Sequence, residues 1–439
     1  MKLNKQEKSW ILYDVGNSAF TMVLTATIPV FFAALVDMAQ IEAVCNNFLV
    51  QALFSKNAEL ALAGNMEAFA ALKTALFGLT TTVAVVIVAL IAPIIGAIAD
   101  HRGMKKKMFS VSLLIGVAGL LSLGITQDWL AYLFLIIIAR IGYSAGNIFY
   151  DSMLVDVSTN DRMDYVSSMG YAWGYIGSCI PFTIGIALIL TTPFNLTVQQ
   201  ATQISFILTA IWWILLTIPL MKNVKQTYYV ETPKHIIRAS FKRVANTLKK
   251  ISQDRRLLLF IIAYFCYIDG VYTIISMATT YGTEVGLEAT GMIVALLVTQ
   301  IVAFPSAIAA GMLAKKYGAI KLIKVFIIIY AFICLYGYGL NTQFEFWVLA
   351  VSVGLVQGGI QSLSRAYYGK IIPKDESSEY FGFFDIFGKF ADFFGPLLIT
   401  ISASLFGASK YGILALIILF AIGFVLINKV EKETQKQTV

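Results

Sequence analysis

Residues 75–107 read ALFGLTTTVAVVIVALIAPIIGAIADHRGMKKK. Between Lys73 and Asp100 lie 26 residues without a charge. As a helix this run is about 39 Å long at ~1.5 Å per residue, more than the ~30 Å hydrocarbon core of a bilayer. A surface helix of a soluble protein needs a polar face, and this run has none. It stops abruptly. Gly96-Ala-Ile-Ala99-Asp100-His-Arg-Gly103 leads into Lys105, Lys106 and Lys107. An apolar span that ends in clustered cations reads as a membrane helix.

The rest of the chain repeats the pattern. Of 439 residues, 58% are hydrophobic and 13% charged, against about 25% charged in soluble domains. Twelve apolar segments fall near 10–36, 72–99, 108–126, 129–156, 165–190, 202–221, 257–282, 289–314, 320–340, 344–368, 379–406 and 410–427. Each is too long for a barrel strand, and a helix satisfies its own backbone in lipid. The expected fold is an all-α membrane protein with twelve transmembrane helices in two six-helix pseudo-repeat bundles. The N-terminus reads as the first span rather than a cleaved signal. Asp14 and Asn17 interrupt its apolar run, and no short core with a small-residue cleavage site is present.

Charge gives orientation. With the N-terminus in the cytoplasm, 28 of the 33 Lys and Arg fall on the inner side. Only Lys56, Lys73 and Lys410 fall outside. Both termini are then cytoplasmic. The net charge of +8 is a topology signal, and no soluble basic domain is available to bind nucleic acid. Four cysteines lack CxxC spacing, and the two histidines, His101 and His235, lie in loops. Neither a zinc site nor a disulfide framework is expected. Gly142-Tyr-Ser144-Ala-Gly146 matches G-x-S-x-G, but it lies inside a span with no membrane histidine as base, so close helix packing is the better reading. No phosphate-cradling G-x-x-x-x-G-K-[ST] occurs. No enzyme activity, cofactor or metal is expected.

The chain divides at 222–256, which carries ten basic residues. Ile237, Phe241, Val244, Leu248 and Ile251 recur there at spacings of three and four, an amphipathic helix suited to the inner leaflet. The expected parts are a bundle at 1–221, a cytoplasmic linker at 222–256, a bundle at 257–428 and a tail at 429–439. The halves share motifs: Gly96-x-x-Ala99-x-x-x-Gly103 matches Gly311-x-x-Ala314-x-x-x-Gly318, and Gly142-x-x-x-Gly146 matches Gly354-x-x-x-Gly358. A parallel repeat with a central cavity follows. The outer segment 37–71 has no counterpart and no assigned role.

Six-plus-six spans with G-x-x-x-D-x-x-G after the second resemble the major facilitator superfamily. Met104 stands where a basic residue is usual, and the second copy carries Lys315 in place of the aspartate. A narrower set is Trp10-x-x-Tyr13-Asp14-x-x-Asn17-Ser18-Ala19-Phe20, Ser167-x-x-Gly170-Tyr171-Ala172-x-Gly174-Tyr175-Ile176-Gly177, Gly358-Gly359-x-Gln361-x-x-Ser364-Arg365 and Gly395-Pro396. Together these resemble the vacuole-effluxer, autophagy-related branch and its bacterial relatives. The resemblance implies export of small organic solutes, amino acids in the vacuolar members. It implies a multi-pass protein of the plasma (bacterial inner) membrane, acting as a monomer. It also implies a gating role for Gly96, Asp100, Gly103, Lys105 and Arg365, with Asp100 meeting the start of the eleventh helix in the outward-facing state.

Ionisable residues inside spans are expensive, about 2.5–3.5 kcal/mol each on the insertion scale, and mark candidate sites. Arg140 and Asp269 fall near the midplane. Asp385, Lys389 and Asp392 share one helical face at spacings of four and three. They form either a self-neutralising structural stack or a coupling site. Arg140 either holds a substrate carboxylate or makes a structural pair with Asp14 or Asp151. Asp14 reads as gate or cavity rim, and Asn17, Gln357 and Gln361 as neutral hydrogen-bonding groups or helix–helix contacts. The reading is a secondary transporter of a small solute, amino acids by resemblance, coupled to a proton or to sodium by alternating access. A multidrug–proton antiporter on the same fold and a non-transporting membrane receptor or scaffold are the alternatives.

Overall fold

The computed structural model describes residues 2–36, 40–233, 235–406 and 408–438. The first span is composite: α1 (Lys5–Met22), a π-helical turn (Val23–Thr27) and α2 (Ile28–Leu35). Asn4 and Glu7 form a capping box that starts it. The wide turn precedes Pro29, whose missing N–H breaks the regular ladder. The outer segment is helical as well, with α3 (Ile41–Cys45) and α4 (Phe48–Leu62). The remaining first-half elements are α5 (Met66–Ala99), α6 (Met104–Leu123), α7 (Trp129–Ser152), the short α8 (Leu154–Val157), α9 (Met163–Thr191) and α10 (Val198–Asn223). The linker forms α11 (Ile236–Gln253). The second half is α12 (Arg255–Glu284), α13 (Ala289–Tyr317), α14 (Ala319–Tyr338), α15 (Gln343–Ile371), α16 (Ser377–Phe406) and α17 (Lys410–Thr438).

All twelve expected spans are helical, and the protein is an all-helical membrane protein. Among the described residues, ten helices are each long and apolar enough to cross a bilayer. The composite first helix and α16 carry charges within their spans, Asp14 in the first and Asp385, Lys389 and Asp392 in the second. Both are wrapped by other helices, which is where charged spans can survive. Helices run past the apolar stretches, so the expected limits shift. α5 begins six residues before position 72. α17 continues through the tail expected to begin at 429, as far as Thr438.

The repeat is visible in the packing. α1 lies on α9 and α10, and its counterpart α12 lies on α16 and α17. Across the halves, α5 packs on α16 and α13 on α9, an exchange-related pair of interfaces. Gly103 and Gly318, the final glycines of the two motif copies, both take positive φ, 72° and 88°, where a side chain would be strained.

Some helices meet backbone to backbone. A Cβ on Gly142 of α7 would land on the main chain of Gly116 in α6. Gly142→Ala should therefore destabilise the protein by about 1–3 kcal/mol through overpacking. Gly78→Ala, where a Cβ meets nothing within 4 Å, should not. Thermal unfolding of both purified variants in detergent checks the contrast.

Candidate functional site

The two halves are sealed together at the end that carries the linker. Asp100, the residue after α5, is 1% exposed. Its Oδ1 accepts from the Ser378 amide at 2.7 Å and its Oδ2 from the Glu379 amide at 3.0 Å. These are first-turn amides of α16, which have no acceptor within their own helix. The carboxylate also meets the positive end of the α16 dipole. Glycines permit the approach: a Cβ on Gly96 would strike the Ser378 carbonyl, and one on Gly382 the Ala92 carbonyl. Ser152 and Ser378 hydroxyls add a bond at 2.9 Å.

The cation on Asp100 comes from the linker. Arg243 Nη2 lies 3.3 Å from Asp100 Oδ2 and 2.7 Å from Glu379 Oε2. Lys105, expected beside Asp100, instead bonds Asp156 Oδ2 at 2.8 Å and Ser377 Oγ at 3.0 Å. Lys105 is fully buried, so it requires that pairing. Asp156 Oδ1 accepts from the Thr227 and Tyr228 amides at 2.7 and 3.1 Å, which anchors the linker's first residues. Burial pushes the Asp100 carboxyl up to about 7 against the opposing pull of Lys105, the two amides and Arg243.

A second cross-half cluster centres on Arg365 of α15. Its Nη1 bonds Asp151 Oδ1 at 2.8 Å, and its Nη2 lies 3.5 Å from Asp14 Oδ2. Nε donates to Ser167 Oγ at 3.0 Å and Nη2 to the Ser167 carbonyl at 3.1 Å. The guanidinium lies over the rings of Tyr171, Trp10 and Tyr150, at 4.3, 4.7 and 5.5 Å. Tyr150 donates to Asp14 Oδ2 at 2.9 Å. Gly170 leaves the space, because a Cβ there would press on Asp14 Oδ2 and Trp10. Asp14 and Asp151, weighed above as partners of Arg140, both serve Arg365. Further cross-half bonds are Ser167 to the Ser362 carbonyl (2.8 Å), Ser168 to Ser362 (2.9 Å) and Lys370 to Asp164 (2.6 Å).

Deeper in the spans the groups are looser. Asn17 donates to Asn147 Oδ1 at 2.7 Å and accepts from Tyr13 at 3.3 Å. Tyr143 pairs with Thr21 at 2.6 Å. From the other half, Lys389 lies 3.4 Å from Asp385, the two side chains 20% and 18% exposed. Lys389 is within electrostatic reach of Tyr143, and Asp385 of Asp151. The Asp392 side chain lies outside the described residues. Arg140 is half-buried on α7 and engaged with neighbours. Tyr175 donates to Gln361 Oε1 at 2.7 Å across the halves. Gln357 is buried beside a largely apolar cavity within the second half, lined also by Thr273, Thr299 and Gln300. Asp269 is fully buried on α12 and accepts from the Gly395 amide at 2.9 Å, just before Pro396 of α16.

Sequence reasoning missed Arg243, Glu379 and Asp156. Arg243 was one of ten basic residues in the linker. Its spacing of three from Ser240 and four from Thr247, which puts it on the buried face, was the available signal.

The chain matches the family described as "Vacuole effluxer Atg22 like" over residues 3–439. It is 43% identical over 440 residues to the uncharacterized MFS-type transporter YxiO of Bacillus subtilis, covering 99% of this chain and 96% of that one. It is 24% identical over 319 residues to autophagy-related protein 22 of Kluyveromyces lactis, covering 68% of this chain and 63% of that one. Among solved structures, the human organic anion transporter MFSD10 matches with a TM-score of 0.72 at 13% identity, covering 97% of this chain and all of that one. FucP in its outward conformation matches with a TM-score of 0.67 at 14% identity, covering 97% of each chain. These likenesses share the major facilitator fold.

Two outcomes follow from the seal. Arg365→Lys keeps the charge but loses the planar fork and its stacking. It should open the linker end, read as faster labelling of a cysteine introduced at Ser362, with the seal weakened by about 1.5–3 kcal/mol, the worth of a lost hydrogen bond to a charged group. The second concerns pH. An exposed Asp100 in an opened seal returns to the ordinary 3.8. The closed form therefore binds more protons between about 4 and about 7. Closure should be strongest at low pH, weaken as pH rises, and level off above about 7. The same labelling assay reads the profile, and Asp100→Asn should flatten it.

Proposed function

The chain belongs to the Atg22-like vacuole effluxer family of major facilitator transporters, and on that premise we propose that it exports amino acids across the plasma membrane with a counter-moving proton. The moving bodies are 1–221 and 257–428, tied by 222–256. Both termini and the linker lie in the cytoplasm, in keeping with the 28 to 3 split of basic residues. The sealed linker end is then the inner gate, and the structure corresponds to an outward-facing state.

The observation that carries the substrate class is the meeting of unlike surfaces between the halves. Lys389 and Asp385 present opposite charges one helical turn apart. Across the halves Lys389 is within electrostatic reach of Tyr143, which pairs with Thr21, and the Asn17–Asn147 pair lies on the same two helices, α1 and α7. A zwitterion has one carboxylate for the ammonium and one ammonium for the carboxylate, so it can replace the internal ion pair without leaving a bare charge. The substrate ammonium and a proton compete for Asp385, so the carboxylate that the solute vacates outside can carry a proton back, which links the counter-moving proton to the solute. Asp269 couples the same helix: its carboxylate accepts from the Gly395 amide, which ties α12 to α16 next to Pro396.

Proteoliposome counterflow with labelled amino acids, with and without an imposed pH gradient, tests this. Saturable uptake that responds to the gradient is expected. Lys389→Ala should reduce it to background. Asp269→Asn should do the same while the protein still folds: the amide oxygen can still accept from Gly395, but the ionisable group inside the span is gone. Wild-type flux in both variants would remove the coupling role. Silence across the panel from folded protein would remove amino acids as the solute.

A further inference from the structure

The linker helix α11 presents three different faces. The inner face buries Ser240, Thr247 and Ile251 and carries Arg243, which holds Asp100 from the first half and Glu379 from the second. Lys250 adds bonds to both Glu376 oxygens at 2.9 Å. At 100° per residue, a second stripe lies slightly more than a quarter turn away. Its residues are Ile237, Phe241 and Leu248, 66%, 55% and 56% exposed. A further quarter turn brings Arg238, Lys242 and Lys249, all exposed.

We propose that α11 docks its Ile237–Phe241–Leu248 stripe into an anionic bilayer surface and that this contact holds the linker-end seal closed. The occupant follows from the order of the faces. Exposed apolar side chains flanked by cations are the layout of a helix lying in the interfacial plane, apolar stripe toward the acyl chains and basic stripe among the headgroups. α11 packs on the linker-side ends of α5 and α12, two bilayer-spanning helices, so it lies at the level where their hydrocarbon ends. Each basic side chain near an anionic surface contributes about fivefold in partitioning. A zwitterionic surface offers the stripe but not the charge.

The coupling is geometric. Arg243 is on the same rigid helix, one residue from Lys242 and two from Phe241. Fixing α11 on the lipid fixes the guanidinium between Asp100 and Glu379, and these two belong to different halves. When the halves separate at this end, Arg243 cannot keep both partners. Lipid that favours docked α11 therefore favours the closed seal, and a closed seal favours docking to the same extent.

The test is hydrogen exchange on the full-length protein in nanodiscs of phosphatidylcholine, against nanodiscs with half of the lipid replaced by phosphatidylglycerol. The readout is the segment containing the Ser378 and Glu379 amides, which bond Asp100. No transport assay enters, so the result is independent of the solute. Exchange there should slow by at least about fivefold with phosphatidylglycerol, the effect of one basic side chain. Arg238→Gln, Lys242→Gln and Lys249→Gln together should abolish the lipid response, and Phe241→Ser should speed exchange in both discs. Molar salt applied to the unmutated chain should also remove the response, which keeps the test valid should the triple variant not fold. Equal exchange in the two discs, or a lipid response that survives charge removal or salt, would overturn the proposal.

Discussion

The first turn of every helix leaves amide N–H groups without an intrahelical acceptor, and inside a membrane protein water is scarce. For α16 that requirement is met by the other half of the molecule. Asp100 takes the Ser378 and Glu379 amides. The bonds fix how close α5 and α16 must come, and that distance explains Gly96 and Gly382, which a Cβ would drive into opposing backbone. It also explains why Arg243 is delivered by the linker. Two buried carboxylates meet at one place, and a cation must separate them.

Buried ion pairs seldom add net stability, since desolvation consumes most of the attraction. The linker end nonetheless holds Lys105 with Asp156, Arg243 with Asp100 and Glu379, and Arg365 with Asp151 and Asp14. Apolar packing would hold two bundles together more simply. Near-balanced pairs suit a contact that must break and reform, because each ion has water waiting when the halves part. The aromatic rings around Arg365 contribute in the same sense, as a surface that holds a cation without neutralising it.

Much of the fold was legible because lipid imposes a simple rule on sequence: long uncharged runs become helices. The motif around Asp100 was legible for the same reason, as it falls at the end of such a run. The limits of that reading are equally physical. α17 outlasts its apolar stretch because helix propensity does not end where hydropathy does. Arg243 looked like one more solvated cation, since only the packed fold shows which face of α11 is inside. Lys105 was placed with Asp100 by proximity in sequence. The structure gives it to Asp156, 51 residues away, because α8, the short turn that follows α7, places that carboxylate against it. Asp14, Asp151 and Arg365 were each visible as charges near span ends, but their meeting depends on a contact between halves that no local pattern encodes.

The departure of the second motif copy now has a physical account. Gly311 stands to α9 as Gly96 stands to α16: a Cβ on Gly311 would press on Ser168 and the Asp164 carbonyl. The repeat thus brings Lys315 toward the start of α9 where Asp100 meets the start of α16. The two helix starts differ. α16 carries Glu379 in its first turn, but that carboxylate is bound to Arg243. The start of α9 already has Asp161, in the turn before the helix, and Asp164 in its first turn, the first bonded by Thr159 and the second paired with Lys370. The Thr159 hydroxyl, then Arg162 and Lys315, hold the Asp161 carboxyl below its ordinary range. A third carboxylate at that place would repel the two already there. A lysine is favourable for the reason that aspartate is favourable at α16: each supplies the charge that the facing helix start lacks.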